Sequence, residues 1–368
     1  MKITKLIIKI GTAFLLLCSC DGYLDRMPDD KVTEEDVFTR YEEVEKLVTD
    51  LYASAKSANK PLIYLNHFGS AAISDECSAS NHESAIPHQF HIGNYGPSQG
   101  MPDKSSCGQY WWDLYTKIRK ANIILEGIAK YDTPDNPKDG REGDLKRRIG
   151  ETYFLRGYLH WLLLRAYGEG AYMDHVVEPG DDMAYTKESF HTLVDKICAD
   201  ADSAYDRVDA SYSGEFFGRV DKGACLGLKA IVRWMAATPM WNGGALPNDT
   251  RAFKDEYTTY DPVRWMAARD AAKAVLDAKN VNGGIRYSLY APSNMGEDDF
   301  KDVDGSANTN NSKVRERLWQ MFYNMDAIQQ EWVWFVTRDK DTGWSGDVLP
   351  PSQNGHARQR PLQEQVDE

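Results

Sequence analysis

WWDLYTKIRKANIILEGI, residues Trp111 to Ile128, and ETYFLRGYLHWLLLRAYGEG, residues Glu151 to Gly170, are the stretches on which the fold turns. In the first, Trp111, Leu114, Tyr115, Ile118, Ala121, Leu125 and Ile128 recur at the three- and four-residue spacings of one helix face. The helix they predict begins near Tyr110 and stops near Tyr131, before Pro134 and Pro137. In the second, Ile149, Thr152, Tyr153, Arg156, His160, Leu163, Leu164 and Tyr167 repeat the pattern from about Leu145 to Tyr167, and Gly168 can close the last turn. Two antiparallel helices of this size make one helical-repeat unit.

The alternation extends both ways from this pair. Thr33-Glu34-Glu35-Asp36 supplies an N-cap and an acidic first turn for a helix to about Ser57, with Val37, Tyr41, Val44, Leu47, Val48 and Leu51 on its apolar face. Downstream, helices are predicted over Thr186 to about Val208, Asp221 to Ala237 and Pro262 to Lys279, the last opened by Asp261 as N-cap with Pro262 at the first helical position. The W-x₂-L-G-x₂-Y signature of tetratricopeptide repeats is absent, so the reading is of degenerate repeats. The expected fold class is mainly α: tetratricopeptide-like helix pairs in an α-α superhelix, with long irregular loops and a few short strands.

Two regions break the helical texture. From Pro61 to Ser106 the chain is rich in Ser, Gly, Pro, Asn and His, which predicts a working loop or disorder. Beyond Asn280 it turns to Gly, Asn and Asp with isolated aromatics, and Glu331 to Val336 reads as a strand.

The N-terminus fixes the compartment. Lys2, Lys5 and Lys9 precede the apolar run Ile10 to Leu17, too short to span a bilayer and of the length of a secretory signal. Leu17-Cys18-Ser19-Cys20 ends it, with Leu at minus three and Ser at minus one of Cys20. That pattern is a bacterial lipobox and predicts cleavage after Ser19 with a diacylglyceryl group on the Cys20 thiol. Stable anchoring needs more than one acyl chain, so a lipidated Cys20 ties a soluble body to the membrane. Residues 1–19 are then the signal peptide, and 20–32 a polar tether.

Composition narrows the function classes. Apolar residues at 42% and charged residues at 27% are globular values. A net charge of −13 opposes binding to nucleic acid or to an anionic membrane face, and leaves small neutral ligands open. Ten Trp and twenty Tyr suggest stacking surfaces beyond what a core requires. Cys77, Cys107, Cys198 and Cys225 remain after lipidation; they permit three disulfide connectivities, contain no C-x-x-C pair and predict no structural zinc.

The chemical motifs point away from catalysis. His82, His88 and His91 lie on no element that would hold three imidazoles in register, so a metal site is not expected there. Asp302-Val303-Asp304-Gly305 resembles part of an EF-hand loop, but Phe300 and Asn311 would stand at its first and twelfth positions. There is no G-x-S-x-G, H-E-x-x-H, P-loop or G-x-G-x-x-G after a strand. Asp75-Glu76 and Asp298-Asp299 are adjacent carboxylates, poorly placed as a glycosidase acid and base. No cofactor and no enzymatic activity are expected.

Several of these segments together resemble the SusD/RagB family of outer-membrane lipoproteins. CDGYLDRMPDDKVTEEDVF from Cys20 is similar to the family's mature start, WWDLYTKIRKANIILEGI from Trp111 to its W-x-x-L-Y-x-x-I-x-x-A-N helix, and ETYFLRGYLHWLLLRAYGEG from Glu151 to its A-E-A-x-F-L-R-A-Y helix, with Thr152 where Ala is usual. GRVDKGACLGLKAIVRWMAATPMWNGG from Gly218 and RWMAARDAAKAVLDA from Arg264 match later repeat helices, Pro239 to Gly244 being the most specific detail. The final RPLQEQVDE looks like the family's P-T-Q-E-L-V-D segment, which a substantial further part of the chain follows. On this likeness residues 33–220 form the N-terminal region with its helical repeats, and 221–368 an incomplete C-terminal region.

The resemblance implies a cell-surface lipoprotein of the outer membrane that captures an oligosaccharide or polysaccharide and delivers it to a SusC-like TonB-dependent transporter. It implies ligand contacts from the loop after the first helix and from the irregular C-terminal half, hence Asp75, Tyr95, Arg338 and Trp344; Trp111, Trp332 and Trp334 lie on periodic elements and are expected in the core. The alternative is a structural repeat lipoprotein that scaffolds an outer-membrane complex without binding glycan, and a surface glycoside hydrolase is the third reading.

Overall fold

The computed structural model describes residues 32–64, 77–79, 89–90, 92–94, 107–136, 143–182, 184–289, 330–334 and 359–361. Helix α1, Glu34–Phe38, opens with a capping box in which the Thr33 hydroxyl accepts from the Asp36 N–H and the Asp36 carboxylate accepts from the Thr33 N–H. The helix expected from Thr33 to Ser57 is broken at Thr39 and Arg40, and α2, Tyr41–Tyr64, continues past the expected end and through Pro61. A proline costs a helix one hydrogen bond without being obliged to end it.

The central pair is α3, Cys107–Lys130, and α4, Asp144–Tyr167. Gly168 closes α4 at φ 78°, and a Cβ there would meet the Trp241 ring at 2.6 Å. Helix α5, Phe190–Tyr205, is capped by Ser189, and α6, Lys222–Ala237, by Asp221, whose carboxylate accepts from the Ala224 N–H. A short α7, Lys254–Thr258, which has no apolar period to announce it, precedes α8, Pro262–Leu276, with Asp261 as N-cap. Cys77–Ala79, β1, pairs antiparallel with Gln359–Pro361, β2.

The long helices pack in series, α3 on α4, α4 on α5, α5 on α6 and α6 on α8, with α2 lying across α3 and α4. This is the expected helical-repeat superhelix. One apolar core runs through it, from Val44, Val48 and Leu51 of α2 through Leu114 and Ile118 of α3 and Leu155, Leu159 and Leu162 of α4 to Ile197 of α5 and Val232 of α6. It crosses residues 220 and 221 without interruption, since Val220 and Ala224 both belong to it.

The Pro239–Gly244 segment turns the chain toward α8. Trp241 is 4% exposed and stacks on Phe190 with ring centroids 3.9 Å apart. Asn242 Nδ2 donates to the Asp261 carbonyl at 3.0 Å, and its Oδ1 accepts from the Asp261 N–H at 2.7 Å, so one buried amide fixes the start of α8.

The strand expected at Glu331 to Val336 is not formed over its described part. Gln330 and Glu331 are helical and residues 332–334 are irregular. Here Trp334 packs edge-on against Phe154 and Tyr158 of α4, at 5.0 and 5.2 Å, and the Ser288 N–H donates to the Gln330 carbonyl. A contact to the helical core decides this backbone in place of β-pairing. Cys198 and Cys225 are buried free thiols, and burial pushes both above the usual thiol range. The side chains of Cys77 and Cys107 lie outside the described residues.

Candidate functional site

Among the described residues the site is a groove of about 450 Å³ between the outer face of α3 and the segment 170–187 that follows α4. The α3 wall carries Trp111, Trp112, Tyr115, Thr116, Arg119 and Asn122. Neighbouring positions on a helix are about 100° apart, so Trp111 and Trp112 cannot face the same way. Trp111 turns inward and packs on Tyr167 and Tyr115, at 4.9 and 5.0 Å, while Trp112 is 70% exposed. Trp111 is therefore a core contact and a groove wall at once, whereas the sequence reading placed it in the core alone.

The opposite wall has no helical period and is held in place by side chains of α3 and α4. Tyr115 Oη donates to the Ala171 carbonyl at 2.7 Å, and Asn122 Nδ2 donates to the carbonyls of Met173 and His175 at 3.1 and 2.9 Å. Arg119 Nη1 donates to the Val177 carbonyl at 2.5 Å, and the Glu126 carboxylate accepts from the Val176 N–H at 2.6 Å. From α4, His160 Nε2 accepts from the Met173 N–H at 3.1 Å, and the ring stacks on Tyr172 at 4.1 Å. Five backbone positions between 171 and 177 are thus tied down without secondary structure.

Beneath this wall lies a buried polar hub. Arg156 forms a two-pronged pair with Asp200, at 2.9 and 2.5 Å, and also donates to Asn122 Oδ1 at 3.0 Å and to the Asp174 carbonyl at 3.1 Å. Tyr172 Oη donates to the same Asp200 carboxylate. Burial raises the Asp200 carboxyl against the pull of Arg156. A second anchor is Glu169, which accepts from the N–H groups of Ala252 and Phe253, from Tyr257 Oη and from Lys187 Nζ. Burial acts to raise its carboxyl, but these four donors outweigh it and hold the group below the ordinary carboxylate range.

Chemically the groove offers flat aromatic faces with a few fixed polar groups. Tyr185, 37% exposed, closes the side opposite α3, near His175. Such a surface can stack the C–H face of a sugar ring and bond its hydroxyls. Among the described residues no three His, Cys, Asp or Glu side chains are grouped to hold a metal ion, and no helix is long and apolar enough to cross a membrane.

Cys20, Asp75, Tyr95, Arg338 and Trp344, as well as His82, His88, His91 and Asp302 to Gly305, lie outside the described residues. The groove residues Trp112, Arg119 and Tyr185 were not singled out from sequence. The doublet Trp111-Trp112 was the available signal, because a helix with one apolar stripe can bury only one of two adjacent tryptophans.

The architecture is a helical-repeat superhelix, and the comparisons make the class specific. A model of a SusD-like family described as starch-binding and associating with the outer membrane matches residues 22–232, more than half of the chain, and the protein belongs to that family. The family is one of carbohydrate-binding, non-catalytic proteins. A SusD-like protein of Formosa agariphila is 23% identical over 254 residues, covering 66% of this chain and 45% of its own. A SusD-like protein of Bacteroides fragilis superposes with a TM-score of 0.63 at 18% identity, over 93% of this chain and 55% of its own. A SusD-like carbohydrate-binding protein of the same species gives 0.55 at 13% identity, over 89% and 53%. The chain spans about half the length of these relatives.

Proposed function

We propose that this protein is a cell-surface lipoprotein of the outer membrane, anchored through Cys20, that captures an oligosaccharide or polysaccharide in the aromatic groove and passes it to a SusC-like TonB-dependent transporter. The observation that carries this reading is Trp112: a large apolar ring, 70% exposed at the mouth of a groove already walled by Trp111 and Tyr115. Family membership and the carbohydrate-binding relative support the ligand class. Asp75, Tyr95, Arg338 and Trp344 are proposed to extend the contact surface.

Binding would proceed without bond cleavage. The rings supply stacking, and Arg119 and Lys187 supply hydrogen bonds in a wet, open site. Affinity electrophoresis through gels containing neutral and acidic polysaccharides tests it. Trp112→Ala should weaken retention at least about tenfold, in line with the loss of one stacking aromatic anchor. Retention of the variant equal to that of the parent protein would remove the groove from the account, and no retention of either on any gel would favour the scaffold reading.

A further inference from the structure

Among the described residues the groove is lined by the cationic side chains of Arg119 and Lys187, by His175, and by no Asp or Glu, in a chain whose net charge is −13. Two of these three positions are matched by neighbouring carboxylates. Lys187 Nζ lies 3.2 Å from the buried Glu169, and His175 Nδ1 lies 3.0 Å from Asp174. Arg119 is not so matched. One nitrogen of its guanidinium meets the Val177 carbonyl, which fixes the group in position without neutralising it, and among the described residues no carboxylate pairs with it. A guanidinium held at one corner keeps its other N–H donors in a planar fork, the geometry that grips a carboxylate or sulfate with two parallel bonds.

We propose that the ligand is an acidic glycan whose carboxylate or sulfate is bound by Arg119 while its ring stacks on Trp112. The inference rests on the groove being the glycan site. Its physical basis is an oriented cation, unpaired among the described residues, beside exposed aromatic rings in a recess that no described carboxylate lines. The negative charge of the whole surface opposes this only at long range: at 0.15 M salt it is screened beyond about 8 Å, whereas a direct guanidinium contact is not.

The test is an array displaying matched pairs, read with the full chain: sialyllactose with lactose, polygalacturonate with its carboxyl-reduced form, and κ-carrageenan with its desulfated form. The acidic member of at least one pair should bind at least about tenfold tighter than its neutral partner, and Arg119→Met should remove that preference, so that the two members bind alike. The carboxylate and sulfate pairs tell the two anion sources apart. If neutral members bind as well as acidic ones, or if Arg119→Met keeps the preference, the acidic-ligand proposal fails while the groove reading stands. If Trp112→Ala also binds every probe as the parent does, the groove reading itself has failed.

Discussion

Replacing Arg156 by methionine is expected to destabilise the protein by about 3–5 kcal/mol, the cost of leaving one partner of a buried ion pair without the other. Asp200 is 4% exposed and would retain only the Tyr172 hydroxyl, while Asn122, 1% exposed, would lose the donor to its Oδ1. The loss should appear as a lower urea midpoint with an unchanged slope. Replacing both members, Arg156→Met with Asp200→Leu, should recover part of the stability, because no buried charge is then left unpaired. The same variant should also loosen residues 172–175, which hang from this hub through Asn122 and the Asp174 carbonyl, and so weaken ligand binding without touching a ring of the groove. A single variant that unfolds at the parent midpoint would show that the hub does not hold the wall.

His160 gives the second large effect, as a dependence on pH. Because Nε2 accepts from the Met173 N–H, the ring proton sits on Nδ1, which donates to the Arg156 carbonyl at 3.0 Å. Protonating Nε2 would set two N–H groups against each other in a site from which water is excluded. Burial accordingly lowers the imidazole from 6.5 to about 3. Between these values the unfolded chain takes up a proton that the folded chain refuses, so stability falls as pH falls. From pH 6.5 to 4 the loss from this residue should be roughly 3 kcal/mol, at 1.36 kcal/mol per unit. Urea denaturation at successive pH values should show that loss in the parent and a flatter profile in His160→Gln, with carboxylate contributions common to both. Parallel profiles would mean that His160 titrates freely in the folded state.

Most of the helical frame was legible because its cause is local and periodic. Leu114, Ile118 and Ala121 fall on one stripe, Asp221 and Asp261 announce their helices as caps, and Gly168 announces an end. The groove was not legible for the opposite reason. Its second wall, residues 170–177, has no repeat, and its conformation is imposed by Tyr115, Arg119, Asn122 and His160, which lie between 13 and 58 positions away in the chain. Each of those four reads from sequence as an ordinary position on its helix. Trp334 packs on the core as its sequence suggested, against Phe154 and Tyr158 of α4, but from an irregular segment and not from the strand read over Glu331 to Val336.

Trp234 and Trp265, on α6 and α8, are also exposed, at 56% and 41%, and lie outside the groove. They provide an internal control for the central claim. Hydroxyl-radical footprinting of the full chain, with and without a glycan identified on the array, reports oxidation at each aromatic side chain in one experiment. The groove account predicts protection of Trp112 and Tyr185 by the glycan, with Trp234 and Trp265 oxidised as before. Protection of Trp234 and Trp265 with Trp112 and Tyr185 unprotected would contradict it.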